Sequence, residues 1–272
     1  MKIAFIGGGN MATALVGGLA GKVTERGANI HVVDVNPDSL QKLQQQFGVT
    51  TATEFTARLS QCDVIVLAIK PQQAREAVAA LQPFIGAHQL ILSIVAGIRI
   101  ADLSRWLDGH EAIVRSMPNT PALIGKGISG VSASDKVSTL QRAQADSILR
   151  AVGSTVWVDS EDKIDAVTAV SGSGPAYVFY FLEAMEQAAL EMGLSSDEGM
   201  ELAKATFAGA TELAQRSDEP VSLLRERVTS KGGTTYAALV SLEQSGVKAA
   251  IVTALKAAAA RGKELGDEFG KD

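Results

Sequence analysis

Three features that would point to a particular environment are scarce in this 272-residue sequence. It has one cysteine, Cys62, no apolar run of membrane-spanning length and no concentrated basic cluster, and its formal net charge is -5. One thiol cannot form an internal disulfide, which favours a reducing compartment. Nucleic-acid binding needs a basic face, and a membrane span needs roughly 18 to 20 apolar residues. We therefore expect a cytoplasmic protein without a nucleic-acid or membrane partner.

Export and metal-binding patterns are also missing. Residues 1–6 run directly into a glycine turn without a charged leader, a long apolar stretch or a cleavage site, so export is not expected. The three histidines, His31, His88 and His110, are scattered without metal-ligand spacing. We interpret each histidine as a surface or strand-edge residue, and we expect no metal site.

What the sequence does contain is sufficient for a packed core, with 46% hydrophobic and 20% charged residues. Short apolar strands alternate with helices in the first part of the chain, and several strands, such as residues 64–69, are continuously apolar. This pattern predicts a doubly wound parallel sheet that is covered on both faces. Candidate strands span residues 2–6, 30–35, 63–69, 89–95, 112–116, 128–132 and 155–158, and candidate helices span residues 11–20, 38–47, 72–81 and 140–152.

After residue 158 the pattern changes to helices that are rich in alanine. We predict an α/β Rossmann-like, doubly wound N-terminal domain over residues 1–159 and an all-α C-terminal domain over residues 160–272. The last helix is apolar on much of its circumference, which favours either burial against a partner subunit or a central place in its own domain. Candidate helices here span residues 176–192, 196–216, 221–227, 236–244 and 247–269.

The clearest local motif is a G-x-G-x-x-A pattern over residues 7–12, directly after a strand and opening a helix. Gly7 permits a tight turn, Gly9 lets a pyrophosphate approach the backbone, and Ala12 keeps the helix close to the sheet. The helix start offers free N–H groups and a positive dipole end to phosphates. This pattern indicates a dinucleotide site; a glycine-rich turn without a ligand is the alternative.

Asp34 bears on the choice of cofactor. It ends the second strand, at the spacing where an acidic residue meets the adenosine ribose. A carboxylate suits the ribose hydroxyls of NAD and repels the extra phosphate of NADP, and no lysine or arginine lies between Asp34 and Gln41. We expect NADH to work at least as well as NADPH. Lys70 and Pro71 end the third of the candidate strands and start a helix at the sheet edge where a cofactor lies.

Two hydroxyl- and glycine-rich segments stand out in the helical half, residues 171–177 and residues 229–235. We interpret each as a loop that feeds a helix, where backbone N–H groups would receive a carboxylate and hydroxyls would contact a ring heteroatom. Helix capping is the other explanation for such residues. Two such segments beside a dinucleotide domain favour a binding site.

At these residues the chain resembles pyrroline-5-carboxylate reductase over nearly its whole length. The resemblance is carried by residues 5–11, 68–71, 115–121, 165–168, the Ser171 segment and residues 229–235. It implies NADPH- or NADH-dependent reduction of the ring imine of 1-pyrroline-5-carboxylate to L-proline. It also implies a helical domain that intertwines with a neighbouring subunit, as a homodimer or a ring of dimers.

The resemblance also assigns site residues, with Thr235 giving a hydrogen bond or a proton to the imine nitrogen. Glu161 and Asp165 either approach this site or only cap the domain junction. The substrate-binding residues are Ser173, Gly174, Ser230, Gly232, Gly233, Thr234 and Thr235. The cofactor-binding residues are Gly7, Gly8, Gly9, Asn10, Met11, Asp34, Val35, Ala68, Lys70, Pro71, Ala96, Pro118 and Asn119.

Two other functions are compatible with the same domain order. A β-hydroxyacid dehydrogenase generally relies on a lysine in the first long helix after the boundary, but there is none between Lys163 and Lys204. A non-catalytic dinucleotide sensor would keep Gly7 and Gly9 without needing residues 229–235. One departure from the resembling family is the segment Asp34-Val35-Asn36, where members often carry residues suited to a 2′-phosphate.

Overall fold

A computed structural model of the chain describes residues 1–20, 27 and 29–271. The chain forms two compact units. The first contains residues 1–173 together with the residues from 257 onward, and the second contains residues 174–256. The remaining residues, 21–26, 28 and 272, belong to the ranges predicted as the two domains but lie outside the described part.

The first unit is built on one eight-stranded sheet in the order β3-β2-β1-β4-β5-β6-β7-β8. All neighbouring strands are parallel except β6 and β7. The strand order reverses at β1, which creates a crevice at the carboxyl ends of β1 and β4. The strands are β1 (Ile3–Ile6), β2 (Ile30–Val33), β3 (Thr50–Ala52), β4 (Val64–Leu67), β5 (Leu90–Ser93), β6 (Ile113–Met117), β7 (Gly127–Ala133) and β8 (Gly153–Trp157).

Helices cover both faces of this sheet, as the continuously apolar strands predict. Alternate residues of β1 enter separate cores: Ile3 and Phe5 pack in one, and Ala4 and Ile6 pack in the other. This two-sided burial explains why the strands lack the polar alternation of a half-exposed sheet. The helices of the unit are α1 (Asn10–Leu19), α2 (Pro37–Phe47), α3 (Pro71–Leu81), α4 (Ile100–Trp106), α5 (Thr139–Arg150) and α6 (Ile164–Val167).

The second unit is helical. It contains α7 (Gly174–Glu191), α8 (Ser196–Arg216), α9 (Val221–Arg227), α10 (Thr234–Gln244) and the first part of α11 (Val247–Phe269). Phe181 of α7 stacks on Phe207 of α8, with ring centroids 6.4 Å apart. In α11, Ile251 and Val252 are 38% and 47% exposed. This exposure argues against a helix at the centre of its own domain, one of the two alternatives for its apolar surface.

The described residues contain no single helix with the length and hydropathy of a membrane span. Helices α10 and α11 meet that test only when taken together, and they are bent by 53° at the break between them.

The end of α11 completes the first unit. The Arg99 guanidinium donates to Asp267 at 2.6 Å, and the Arg105 guanidinium donates to the Gly270 carbonyl at 2.7 Å. Phe269 packs against the core on the α3 and α4 side of the sheet. The chain therefore returns to the sheet domain after the helical unit.

Three features of the fold differ from the sequence-based prediction. Strand β3 and helices α4 and α6 were not predicted, and β3 and α6, with three and four residues, are too short to show a period. Strand β7 is antiparallel to β6 in a sheet predicted to be parallel. Only residues 118–126 join these two strands, and this is too short for the helical crossover that a parallel pair requires. His31, predicted at a surface or strand edge, is 4% exposed because β3 pairs outside β2.

Candidate active site

The predicted dinucleotide residues of the first unit follow the carboxyl ends of the adjacent strands β2, β1, β4, β5 and β6. Gly7 forms the turn after β1, with a φ of 101° that disfavours any residue with a side chain. A Cβ atom there would lie 2.4 Å from the Ala68 carbonyl oxygen. The Gly7 N–H donates to Val33 at 2.8 Å, so this turn contacts both neighbouring strand ends.

Helix α1 begins without a capping side chain. Its N-cap residue is Gly9, and a Cβ atom at this position would meet nothing within 4 Å. Gly9 and Asn10 are exposed, and Met11 is half-buried. Within the described residues, the N–H groups of Asn10 and Met11 have no acceptor. The open space and free amides fit the pyrophosphate of a dinucleotide, which receives hydrogen bonds at a helix N-terminus.

Asp34 links the turn after β2 to the glycine turn after β1. Its Oδ2 atom accepts from the Gly8 N–H at 2.5 Å, and its Oδ1 atom accepts from the Asn36 N–H at 2.7 Å. The carboxylate is half-buried, whereas the neighbouring Val35 is 83% exposed. Asp34 is therefore held in a fixed orientation at the edge of the crevice.

A cleft of about 430 Å³ lies beside Asp34. This volume is in the range of small-molecule sites. Ile69 and Phe55 line the cleft, and Glu54 and Glu76 place two more carboxylates beside that of Asp34. Among the described residues that line it, none is lysine or arginine. Sequence reasoning missed Glu54, Phe55 and Glu76, because they come from the unpredicted β3 turn and from the face of α3.

The remaining predicted cofactor residues lie at the ends of β4, β5 and β6. Lys70 is the exposed N-cap of α3 and Pro71 is its first residue, as the sequence indicates. Ala96 is half-buried after β5. Pro118 and Asn119 are both buried after β6. All of these positions share one edge of the sheet, but their contact with a cofactor stays a prediction.

Asn119 has a second role in the structure. Its Oδ1 atom accepts from the Ile128 N–H at 3.0 Å, and its Nδ2 atom donates to the Ser171 carbonyl at 3.0 Å. The side chain is therefore engaged with β7 and with the segment before α7. We conclude that Asn119 holds these elements together, a role that sequence reasoning did not identify.

The Ser171 segment is not the loop that its composition suggests. Residues 168–172 form a π-helical turn that continues α6, and the Ser173 N–H donates to Thr168 at 2.8 Å. Ser171 donates its hydroxyl to the Val167 carbonyl at 3.0 Å. Helical hydrogen bonding therefore continues almost to Gly174, the first residue of α7. Single π turns inside helices occur frequently at functional sites. Substrate binding by Ser173 and Gly174 stays a prediction.

Glu161 and Asp165 contact a buried arginine. Arg115 in β6 is 5% exposed, its Nη1 atom donates to Glu161 at 2.9 Å, and its Nη2 atom lies 3.9 Å from Asp165. Glu161 also accepts from the Ile100 N–H at 2.8 Å. A buried guanidinium needs such partners. This contact network favours the alternative that these two carboxylates are part of the junction.

The second unit presents a turn over residues 229–233 before α10. Gly232 has a φ of 74°, and the Gly233 N–H donates to the Ser230 carbonyl at 3.0 Å. Gly233 is the N-cap of α10 without a capping side chain. Within the described residues, the N–H groups of Thr234 and Thr235 have no acceptor. This helix start can therefore receive a carboxylate.

The two threonines that flank this turn differ in their hydrogen bonding. Thr229 donates its hydroxyl to the Arg225 carbonyl at 2.6 Å. The half-buried Thr235 hydroxyl has no partner within the described residues. Thr235 is therefore available to hydrogen-bond a ligand.

Two family models match the chain. The model described as "Pyrroline-5-carboxylate reductase dimerisation" matches residues 161–265, and the model described as "NADP oxidoreductase coenzyme F420-dependent" matches residues 2–97. A pyrroline-5-carboxylate reductase from Pseudomonas aeruginosa is 42% identical over 270 residues, which cover 99% of this chain and 98% of the relative.

Solved structures agree with these matches. A pyrroline-5-carboxylate reductase from Coxiella burnetii has a TM-score of 0.92 at 38% identity, covering 97% of this chain and 98% of that one. The Plasmodium falciparum pyrroline carboxylate reductase, a structure with NADP bound, has a TM-score of 0.85 at 30% identity and covers 98% of both chains.

Proposed function

The chain belongs to the pyrroline-5-carboxylate reductase family, and on that premise we propose how its residues act in the reaction. It is an oxidoreductase that uses NAD(P)H to reduce the imine of 1-pyrroline-5-carboxylate, which gives L-proline. In this reaction the imine carbon gains a hydride and the nitrogen gains a proton. The observation that carries the site assignment is the uncapped start of α10, with free amides and an unpartnered threonine hydroxyl.

The cofactor site uses the carboxyl edge of the sheet. The α1 start and its glycine turn, residues 7–11, bind the pyrophosphate, and Asp34 with Val35 meets the adenosine ribose. The ends of β4, β5 and β6 bind the remaining length through Ala68, Lys70, Pro71, Ala96, Pro118 and Asn119. When bound, the reduced nicotinamide supplies the hydride.

NADH serves this chain at least as well as NADPH. Asp34 is fixed by two backbone N–H groups, and Glu54 and Glu76 line the same cleft. An additional phosphate on the ribose would meet negative charge there. Phosphate groups usually bind arginine, which can donate two parallel hydrogen bonds, or lysine, which provides a point charge. Among the described residues that line this cleft, neither type is present.

The substrate carboxylate binds at the start of α10. The N–H groups of Thr234 and Thr235 donate to it, and Gly232 gives the turn the conformation that leaves this helix start open. Binding the carboxylate orients the ring, and orientation contributes much of the rate acceleration in a reaction between two bound partners. Ser173, Gly174, Ser230 and Gly233 are the other proposed substrate-binding residues.

Thr235 orients the imine nitrogen by hydrogen bonding. A threonine hydroxyl is too weak an acid for efficient proton donation near neutral pH. The imine can instead enter already protonated from water. The Thr235 oxygen then accepts a hydrogen bond from the iminium N–H, which holds the imine carbon in the orientation that hydride transfer requires.

By function, residues 160–272 form the substrate-binding and dimerisation domain and residues 1–159 form the cofactor domain, although residues 160–173 and the residues from 257 onward pack in the first compact unit. The match of residues 161–265 to the dimerisation model supports this division. The protein assembles as a homodimer or a ring of dimers in the cytoplasm, and it needs no nucleic acid or membrane.

A steady-state assay tests the function. The purified protein is mixed with NADH and racemic pyrroline-5-carboxylate, loss of absorbance is followed, and proline is identified by mass spectrometry. We expect stoichiometric conversion of one enantiomer. NADH binding without any turnover would instead support a dinucleotide sensor, and turnover of a β-hydroxyacid but not of the imine would support the dehydrogenase alternative.

A further inference from the structure

A second polar cavity, of about 370 Å³, lies at the opposite edge of the sheet from the cofactor turns. Its lining residues precede β1, begin β2 or precede β4, so they lie at the amino ends of these strands. Nothing in the proposed reaction uses this cavity. It is lined by Lys2, Asn29, His31, Arg58, Gln61 and Cys62.

The rim of this amino-edge cavity is cationic. Lys2 and Arg58 are both exposed, and neither side chain forms an ion pair within the described residues. Among the described lining residues none is acidic. The nearby Asp63 carboxylate accepts from the Lys2 backbone N–H at 2.7 Å and lies 3.9 Å from the N-terminal ammonium. Asp63 thus contacts the backbone and the amino terminus, and among the described residues it forms no ion pair with the Lys2 or Arg58 side chain.

One lining residue of the cavity, His31, has a buried ring nitrogen without a hydrogen-bond partner among the described residues. The Thr50 hydroxyl donates to the Ile30 carbonyl at 3.2 Å, so its oxygen accepts from the His31 Nδ1–H at 2.9 Å. This arrangement places the proton of neutral His31 on Nδ1 and leaves Nε2 as a buried acceptor with no partner in the part of the chain that the structure describes. Burial lowers the pKa of His31, and the Arg58 guanidinium lowers it further, so the ring is neutral at pH 7.

A buried glutamine side chain fixes the turn that carries Arg58. Gln89 is fully buried, and its Nε2 atom donates to the Leu59 carbonyl at 2.8 Å and to the Cys62 carbonyl at 3.0 Å. These bonds fix the turn that carries Arg58 and Gln61. A rim fixed in this way binds a ligand with less loss of conformational entropy than a mobile loop would.

We propose that the amino-edge cavity binds a phosphate group in its singly protonated form. The anionic oxygens bind Arg58 and Lys2, because a guanidinium matches phosphate geometry and an ammonium adds a point charge. The P–OH group donates to His31 Nε2, which satisfies the buried acceptor. The source is either inorganic phosphate or a phosphate monoester.

Calorimetry with inorganic phosphate tests the proposal on full-length protein saturated with NADH, so that the cofactor phosphate site is occupied. We expect one additional phosphate per chain. Arg58→Gln and Lys2→Gln should each weaken it by roughly fivefold or more, as expected for loss of one charge-assisted hydrogen bond. Lys42→Gln and Arg75→Gln remove exposed cations elsewhere and should leave the affinity unchanged. Absence of binding, or equal effects of all four variants, would overturn the proposal.

The proton requirement gives a second test. An ordinary cationic site prefers the phosphate dianion, whereas this cavity needs a proton between the ligand and His31 Nε2. Phosphate affinity should therefore increase as pH falls from 8 to 6, by roughly fivefold or more as the singly protonated species grows. Lys2, Arg58, the N-terminal ammonium, Asp63 and Cys62 face the same region. Burial raises the pKa of the Cys62 thiol, which stays neutral across this range.

Titrations with sulfate and with adenosine monophosphate test which features of the ligand the cavity recognises. Sulfate has similar size but no proton to donate, so it should bind at least fivefold more weakly than phosphate at pH 6. Affinity that is equal for sulfate, or that increases with pH, would contradict the assignment of His31 as the acceptor. Adenosine monophosphate binding as tightly as phosphate identifies a monoester as the source, whereas phosphate binding alone identifies the free ion.

Discussion

Thr235 is the residue on which the proposed chemistry depends most directly. Its hydroxyl has no partner within the described residues, and its backbone N–H is one of the free donors of α10. Replacing Thr235 with alanine removes the hydroxyl but keeps the N–H group. We expect Thr235→Ala to lower kcat by about 10- to 1000-fold with a smaller change in KM, because a positioned hydrogen bond to the reacting nitrogen is lost.

The measurement is steady-state kinetics of Thr235→Ala beside Thr235→Ser, which keeps the hydroxyl. Thr235→Ser should retain most of the activity. Undiminished turnover by Thr235→Ala would remove this side chain from the mechanism.

Asp34 is expected to set the cofactor preference through its charge. Asp34→Asn keeps an oxygen that can accept one of the two backbone N–H bonds but removes the negative charge. We expect the ratio of kcat/KM for NADPH over NADH to rise by about tenfold, equivalent to about 1.4 kcal/mol of transition-state stabilisation. Asp38→Asn, an exposed acidic residue in the first turn of α2, is the matched control. A wild-type protein that strongly prefers NADPH would contradict the argument.

At the scale of elements, Asn119 joins the β6–β7 connection to the π-helical turn. Asn119→Ala leaves the Ile128 N–H and the Ser171 carbonyl without their partner. We expect the free energy of unfolding to fall by about 2 to 4 kcal/mol, since each buried polar group left unpaired costs about 1 to 3 kcal/mol.

Chemical denaturation of Asn119→Ala and Asn119→Asp separates the two contacts. Asn119→Asp keeps the acceptor for Ile128 and loses only the donor to Ser171. It should therefore remove part of the stability and still lower kcat if the position of the π turn matters for the substrate. A wild-type denaturation midpoint for both variants would show that Asn119 is not a clamp.

The strands with continuous apolar runs and the long helices could be predicted from the sequence. The short elements β3 and α6, which have neither feature, could not. The runs at β1 and β4 are continuously apolar, and the long helices α8 and α11 show the helical period over enough residues. Strand β3 has three half-buried residues, and its pairing with β2 is a tertiary contact. The antiparallel direction of β7 follows from the short connection between β6 and β7. The length of this connection can be judged only when the ends of both strands are known. The π turn depends on a shift in backbone hydrogen bonding that glycine and serine content does not reveal.

Some residues of the candidate site could also be predicted from the sequence, whereas others could not. Gly7, Gly9 and Asp34 could be identified because one segment of sequence contains the whole βαβ unit that places them. Glu54 and Glu76 enter the same cleft from β3 and α3, so only the folded sheet brings them beside Asp34. Asn119 could be assigned to the site by resemblance, but its partners Ile128 and Ser171 are distant in sequence.

At the scale of the whole molecule, the exposed apolar residues of the helical unit indicate an assembly. Phe179 and Tyr180 on α7 are 58% and 71% exposed. Such a surface is typical of a contact with another protein. We expect Phe179→Glu to weaken the homo-oligomer, because a charge would have to be buried in the interface.

Light scattering coupled to size exclusion measures this effect across a dilution series. Leu140→Glu is the matched control, since Leu140 is a 69% exposed apolar residue on α5 of the first unit. It should leave the mass unchanged. A wild-type protein that is monomeric at micromolar concentration, or a Phe179→Glu variant of unchanged mass, would contradict this expectation.

The return of α11 to the first unit has a consequence for how the protein is made. Arg99, Arg105 and the core around Phe269 obtain contacts from residues that are synthesised after the whole helical unit. This side of the sheet domain therefore stays uncovered until the residues from 257 onward have been synthesised. A fragment that stops at residue 173 therefore exposes apolar surface that Phe269 covers in the longer chain, although such a fragment contains every strand of the sheet.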